Sequence, residues 1–200
     1  MDPDIQSYVM LFVALILVFL NGFFVLSEFA IVKVRKTKLE EFVKQGKSGA
    51  SLALKMSNSL DTYLSATQLG ITFSSLALGW IGEPALAKLI ETNFSYLANN
   101  PVLLHTISFI IAFSIVTFLH VVFGEIVPKS IAIAKAEVMV LYIARPLYLF
   151  WLVFYPLIRF FDIVAASRHS LFGIKLYLFI NSVNALSKPL TTCQFAIPAA

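Results

Sequence analysis

Three stretches of this 200-residue chain run without a single Asp, Glu, Lys or Arg: residues 5–27, 62–82 and 101–124, of 23, 21 and 24 residues. About 20 residues of helix suffice to cross a hydrocarbon core of roughly 30 Å at 1.5 Å per residue. Inside lipid every backbone N–H and C=O must be bonded within its own segment, so each run has to be a helix. The chain is 59% hydrophobic and 13% charged, far from the roughly half-apolar, quarter-charged make-up of a soluble domain. The expected fold class is an all-α membrane protein: three transmembrane helices plus a bent juxtamembrane or interfacial helical belt, in contact with the lipid bilayer.

The start of the chain, MDPDIQSYVM, is acidic where a signal peptide is basic, and the apolar run after it is too long for an h-region. The first helix is therefore expected to stay in the protein. Lys33, Arg35, Lys38, Lys44, Lys47 and Lys55 crowd the first connection against Glu40, Glu41 and Asp61, whereas residues 83–100 hold one Lys and two Glu. By the positive-inside rule the 33–61 loop is cytoplasmic and the N-terminus lies outside, giving a multi-pass protein of the cell membrane with a cytoplasmic C-terminal tail. The net charge of +4 thus reports topology, and no nucleic-acid partner is expected. NNP before Val102 is a helix start with proline in the first turn.

Residues 138–158 are long and apolar enough for a fourth span, but Arg145 and Pro146 sit inside and Pro156 near the end. An unpaired arginine at mid-depth costs about 2.5–3.5 kcal/mol even on the mild insertion scale. A bent helix along the cytoplasmic interface, or dipping into the membrane, is the preferred reading. One cysteine, Cys193, excludes an intramolecular disulfide and a cysteine-rich metal cluster. With no GxSxG, HExxH or paired-Asp arrangement in the spans, an enzyme is not expected.

Polar residues inside the spans carry what chemistry there is. The first span holds Asn21, Ser27 and Glu28, with Asn21 and Glu28 seven apart on one face. Along the second, Ser65, Gln68, Thr72, Ser75, Gly79 and Gly82 recur at steps of three or four. Ser75, Gly79 and Gly82 read equally well as helix packing, because small residues let transmembrane backbones approach. Gln68 with Thr72 reads as a site, since glutamine is costlier to leave unpaired. In the third span His120 reads as a hydrogen-bonded packing residue. Glu125 is a candidate by default as an intramembrane carboxylate, its bland alternative being an interfacial pair with Lys129. Pro128 cannot donate to the carbonyl four residues earlier, which belongs to Gly124 and is left free as an oxygen ligand. Ser27, Gln68, Thr72, Gly124 and Glu125 then offer neutral oxygens and one charge, a set suited to a hard cation such as Mg²⁺ or Na⁺ and unsuited to zinc or copper.

NGFFVLSEFAIVKVR, QLGITFSSLALGWIGEP and VVFGEIVPKSIA closely resemble the transmembrane DUF21 domain of the CNNM/CorC family. The resemblance covers about residues 5–165 and implies a homodimer, each copy with three spanning helices and a helical belt. It further implies a dehydrated Mg²⁺ held among helix oxygens as the transported ion, with efflux coupled to Na⁺ entry. Carried over by motif, it points to Ser27 of SEFA, the polar face of QLGIT with Gln68 and Thr72, and Gly124 with Glu125 of GEIVPK. Asn21, Gly70, Pro128 and Lys129 take structural or gating roles. The family usually continues into an acidic linker, a CBS pair and a CorC domain, whereas this chain ends LYLFINSVNALSKPLTTCQFAIPAA. Residues 1–165 are thus read as the transmembrane domain and 166–200 as an atypical tail, with a truncated, non-transporting subunit that assembles with full-length homologues as the alternative function.

Overall fold

The computed structural model describes residues 3–94 and 100–171, and every described element is helical. In chain order these are α1 (Pro3–Lys33), α2 (Lys36–Lys44), α3 (Ala50–Asn58), α4 (Leu60–Phe94), α5 (Pro101–Leu119), a π-helical segment (His120–Ile126) and α6 (Val127–Leu171). The chain divides into two units, Met1–Ile158 and Arg159–Ala200; the first holds the candidate site, and the second is described only through the end of α6. The tail from residue 172 onward, including Cys193, lies outside the described residues, as does Ser95. Three helical stretches are long and apolar enough to cross a membrane: Ile5–Lys33, Leu60–Phe94 and Pro101–Phe161.

The helices outrun the uncharged runs that announce them. α4 continues through Glu83 and Pro84 to Phe94, where a loop was expected from residue 83. Proline removes one backbone bond, to the carbonyl of Trp80. Ala85 and Ala87 beyond it are buried, so packing holds the helix on its course. Asn100 caps α5 as the NNP motif requires, its Oδ1 accepting from the N–H of Val102 at 3.0 Å with Pro101 in the first turn.

The break in the last long helix falls at Lys135, whose φ of −131° and ψ of 36° leave helical geometry. Neither Pro146 nor Pro156 carries it. After Lys135 the chain lays Ala136, Val140, Ile143, Ala144 and Leu147 into one buried cluster with Ala30, Ile31 and Val34 of α1, Leu39 and Phe42 of α2, and Ala50, Ala53 and Met56 of α3. Their spacing of three and four is one helical face. Arg145 stands exposed on the other side and donates to Ser48 Oγ at 2.8 Å, in the turn between α2 and α3. The residues around Arg145 therefore form the belt, packed on the short helices of the first connection. A second, smaller cluster of Ala14, Leu17, Val18 and Leu78 joins α1 to α4 nearer the chain start.

The turn joining α2 to α3 is set by two left-handed glycines, Gly46 (φ +68°) and Gly49 (φ +83°). A Cβ on Gly46 meets nothing within 4 Å, but one on Gly49 falls 2.7 Å from the carbonyl oxygen of Leu141. Gly46→Ala should cost about 1–2 kcal/mol, the left-handed penalty alone. Gly49→Ala should cost clearly more, because Leu141 backbone must also move. Thermal unfolding of the two variants in detergent checks this, and equal losses would mean the belt does not press on this turn.

Candidate cation site

A fully buried polar residue of α1 ties three helices together. Asn21 has no exposed surface, and its Nδ2 donates to the Gly124 carbonyl at 3.0 Å across 103 residues of sequence. Ser75 of α4 donates from Oγ to Asn21 Oδ1 at 3.1 Å, and His120 Nε2 lies 3.3 Å from the same Oγ. With the Ser75 proton on Asn21, the histidine must be the donor to Ser75. Three spans thus meet in a directed chain of hydrogen bonds, His120 to Ser75 to Asn21 to the Gly124 carbonyl. Glu125 borders it, with Oε1 4.0 Å from His120 Nε2.

Pro128 explains why the third span is irregular here. It has no N–H for the Gly124 carbonyl, and the ladder widens: the N–H of Val127 bonds five residues back, to the Val122 carbonyl. Single π turns of this kind concentrate at functional sites. Two glycines let the wide turn press against α1. A Cβ on Gly22 would fall 3.0 Å from both the Phe123 carbonyl oxygen and Pro128 Cγ, and one on Gly124 would fall 2.9 Å from His120 Cδ2 and 3.1 Å from Asn21 Nδ2.

The expected site residues separate into two groups. Asn21, Gly124 and Pro128 come together at the junction, with Glu125 at its edge. The carbonyl freed by Pro128 is not idle, however: it accepts from Asn21, leaving its second lone pair for any other partner. Ser27 is buried six residues further along α1, where its Oγ donates to the Phe23 carbonyl at 2.7 Å. Gln68 and Thr72 lie exposed on α4, the Thr72 hydroxyl donating to the Gln68 carbonyl at 2.8 Å. Among the described residues neither makes a hydrogen bond to Gly124 or Glu125. Gly70 packs against the Phe24 ring, where a Cβ would come within 2.5 Å. Lys129 does not pair with Glu125; its Nζ sits 4.5 Å above the Phe29 ring.

Ser75, which the sequence leaves even between packing and a polar role, and His120, which reads as a hydrogen-bonded packing residue, both enter the polar network. The available signal was spacing: Ser75 is one turn from Thr72, and His120 one turn before Gly124. Of the other two small residues in that stripe, Gly82 does pack, its Cβ position 3.2 Å from Ala14 Cβ, whereas Gly79 has open space within 4 Å.

Among the described residues no three His, Cys, Asp or Glu side chains converge. What converges is amide, hydroxyl and carbonyl oxygen with one carboxylate and one imidazole alongside. The model of the CNNM family, the cyclin M transmembrane N-terminal domain, matches residues 12–188. This chain belongs to that family. The CNNM domain is 44% identical over 172 residues to the UPF0053 protein YhdT of Bacillus subtilis, a match covering 86% of this chain and 37% of the relative. It is 43% identical over 158 residues to the UPF0053 protein YugS of the same organism, covering 79% and 37%. The uncharacterized protein Rv1841c of Mycobacterium tuberculosis is 38% identical over 172 residues, covering 86% and 48%. The chain thus spans between a third and a half of the length of these relatives.

Proposed function

We propose that this CNNM domain moves a hard divalent cation, Mg²⁺, across the membrane, and that the ion is recognised where the three spans meet at Gly124 and Glu125. The observation that carries the reading is the π turn. It sets a carboxylate and a proline-released carbonyl on consecutive residues, Glu125 and Gly124, within a segment otherwise built for lipid. The Glu125 side chain is half exposed on the single chain. A carboxylate facing hydrocarbon needs a cation, a proton or hydrogen-bonding partners. Neutral oxygens from Asn21 and Ser75 stand nearby, and Ser27, Gln68 and Thr72 add oxygens along the same two helices for an ion in transit. Oxygen donors with a single charge suit a small hard cation and give softer metals no thiolate and one nitrogen. Export as the direction and Na⁺ as the driving ion are part of the same proposal and rest on family membership. The chain acts as a carrier domain rather than an enzyme.

A second copy is the proposed partner. Phe73, Leu76 and Trp80 stand 63%, 70% and 83% exposed on one side of α4, beside the open Gly79. That face, with Thr72 adjoining it, suits close approach of an identical helix. The test of function is binding. Purified chain in detergent should gain thermal stability with millimolar Mg²⁺ and little with equimolar K⁺, because a ligand that binds only the folded state adds RT ln(1 + [L]/Kd). A monodisperse, helical sample that gains nothing would end the transport reading.

The proposed topology has its own test. With Cys193 replaced, a cysteine at exposed Asn93 near the end of α4 should react with impermeant thiol reagents added to intact cells, and one at exposed Lys44 in α2 should not. Labelling of Lys44→Cys alone would invert the orientation.

A further inference from the structure

A separate cavity of about 480 Å³ opens between the end of α1 and the Lys135 break in α6, lined by Lys33, Arg35, Ile133, Lys135, Glu137 and Val138 with two alanines. Three of these side chains are cationic and one is a carboxylate. The carboxylate is already engaged, Arg35 donating from Nη2 to Glu137 Oε1 at 3.2 Å, while 77% of the arginine side chain remains exposed. Among the described residues Lys33 and Lys135 have no carboxylate within ion-pair distance. Part of the lining is apolar: Ile133 and Val138 are 48% and 47% exposed on the two sides of the Lys135 break. The break matters for chemistry as well as shape. It sets Lys135 among the lining residues, between Ile133 and Val138.

A cavity whose lining combines three cations with exposed aliphatic carbons, placed at the charged end of the first membrane span, fits one kind of ligand. We infer that it is a binding site for the phosphate of an anionic phospholipid, with Lys33, Arg35 and Lys135 holding the headgroup and the acyl chain passing Ile133 and Val138. Basic pockets between spanning helices take such headgroups, and the volume lies in the range of small-ligand sites. Glu137 competes with the phosphate for Arg35. The site shares no residue with the Gly124–Glu125 junction and does not depend on what that junction binds.

The test is lipid retention by the full chain. Reconstitute it in vesicles of equal phosphatidylglycerol and phosphatidylcholine, extract it in mild detergent, and measure the ratio of the two lipids that stay bound. Phosphatidylglycerol should be retained preferentially. Each cation near an anionic lipid is worth roughly a fivefold change in binding, so Lys33→Gln with Lys135→Gln should lower the preference by about tenfold or more. Glu137→Gln should raise it about twofold or more by releasing Arg35. Lys44→Gln, a basic residue outside the cavity, should leave it unchanged. The Glu137→Gln gain stands as an independent arm if the double variant does not fold. Inorganic phosphate at 10-fold excess over lipid should not displace the lipid. Retention lost equally with Lys44→Gln, no gain with Glu137→Gln, or full displacement by inorganic phosphate would each overturn the assignment, the last by making free phosphate the ligand.

Discussion

Glu125→Gln should remove most of the thermal stabilisation that Mg²⁺ confers while leaving the ion-free protein nearly as stable as before. The change keeps the shape of the side chain and removes the one formal negative charge at the π turn. Ligand charge count spreads the affinities of oxygen sites over several orders of magnitude, so a loss of about two orders is expected. At an Mg²⁺ concentration a hundred times the wild-type Kd, the wild type gains about 2.7 kcal/mol and the variant a fraction of that. Stability without the ion should barely move, because the side chain is half exposed and the imidazole beside it, His120 Nε2, is 4.0 Å away. The pair of measurements separates a binding role from a structural one. Equal stabilisation of variant and wild type would place the ion elsewhere; collapse of the ion-free variant would make Glu125 part of the scaffold.

How much of this was legible in the sequence follows from the physics of each part. The spans were legible because a bilayer leaves no choice: a run of 20 uncharged residues has to be helical, and three such runs appear as three helices. Their ends were not, because charge marks where lipid stops and says nothing about where a helix stops. α4 continues past Pro84 on the strength of buried Ala85 and Ala87, which a reading for breakers misses. Arg145 marked residues 138–158 as unusual, and it stands exposed and bonds Ser48, with the residues around it packed on the short helices of the first connection. The sharp turn itself fell at Lys135, a residue with no local preference for leaving a helix. At the site, the lost bond below Gly124 could be deduced from Pro128 alone. That Asn21 takes up that carbonyl could not, because the two residues are 103 apart and only the packing of Gly22 on Pro128 brings them together. Ser75 and His120 were hidden for a related reason: serine and histidine in a span are ambiguous until a partner from another helix is known.

Asn21 should prove the most sensitive residue of the scaffold. In bilayers a single interhelical hydrogen bond averages about 0.6 kcal/mol, because the loosened state usually finds substitute partners. Asn21 differs in that its acceptor has no substitute. The Gly124 carbonyl cannot turn to the residue four ahead, which is Pro128, and it is buried away from water. Asn21→Ala therefore leaves that carbonyl unsatisfied at about 1–3 kcal/mol, opens a cavity among α1, α4 and the π turn, and strips Ser75 of its acceptor. Gly124→Ala attacks the same contact from the other side, since its Cβ would intrude within 2.9 Å of the His120 ring and 3.1 Å of Asn21 Nδ2. Each change alone should lower the unfolding midpoint strongly. Together they should cost clearly less than the sum of the two, because the second breaks a bond the first has already removed. Mg²⁺ stabilisation should weaken about tenfold in concentration terms in Asn21→Ala without vanishing, since the carboxylate remains but the turn that aims it loosens. Strict additivity of the two losses would mean the Asn21–Gly124 bond does not hold the π turn, and an unchanged Mg²⁺ response in Asn21→Ala would separate that turn from the ion.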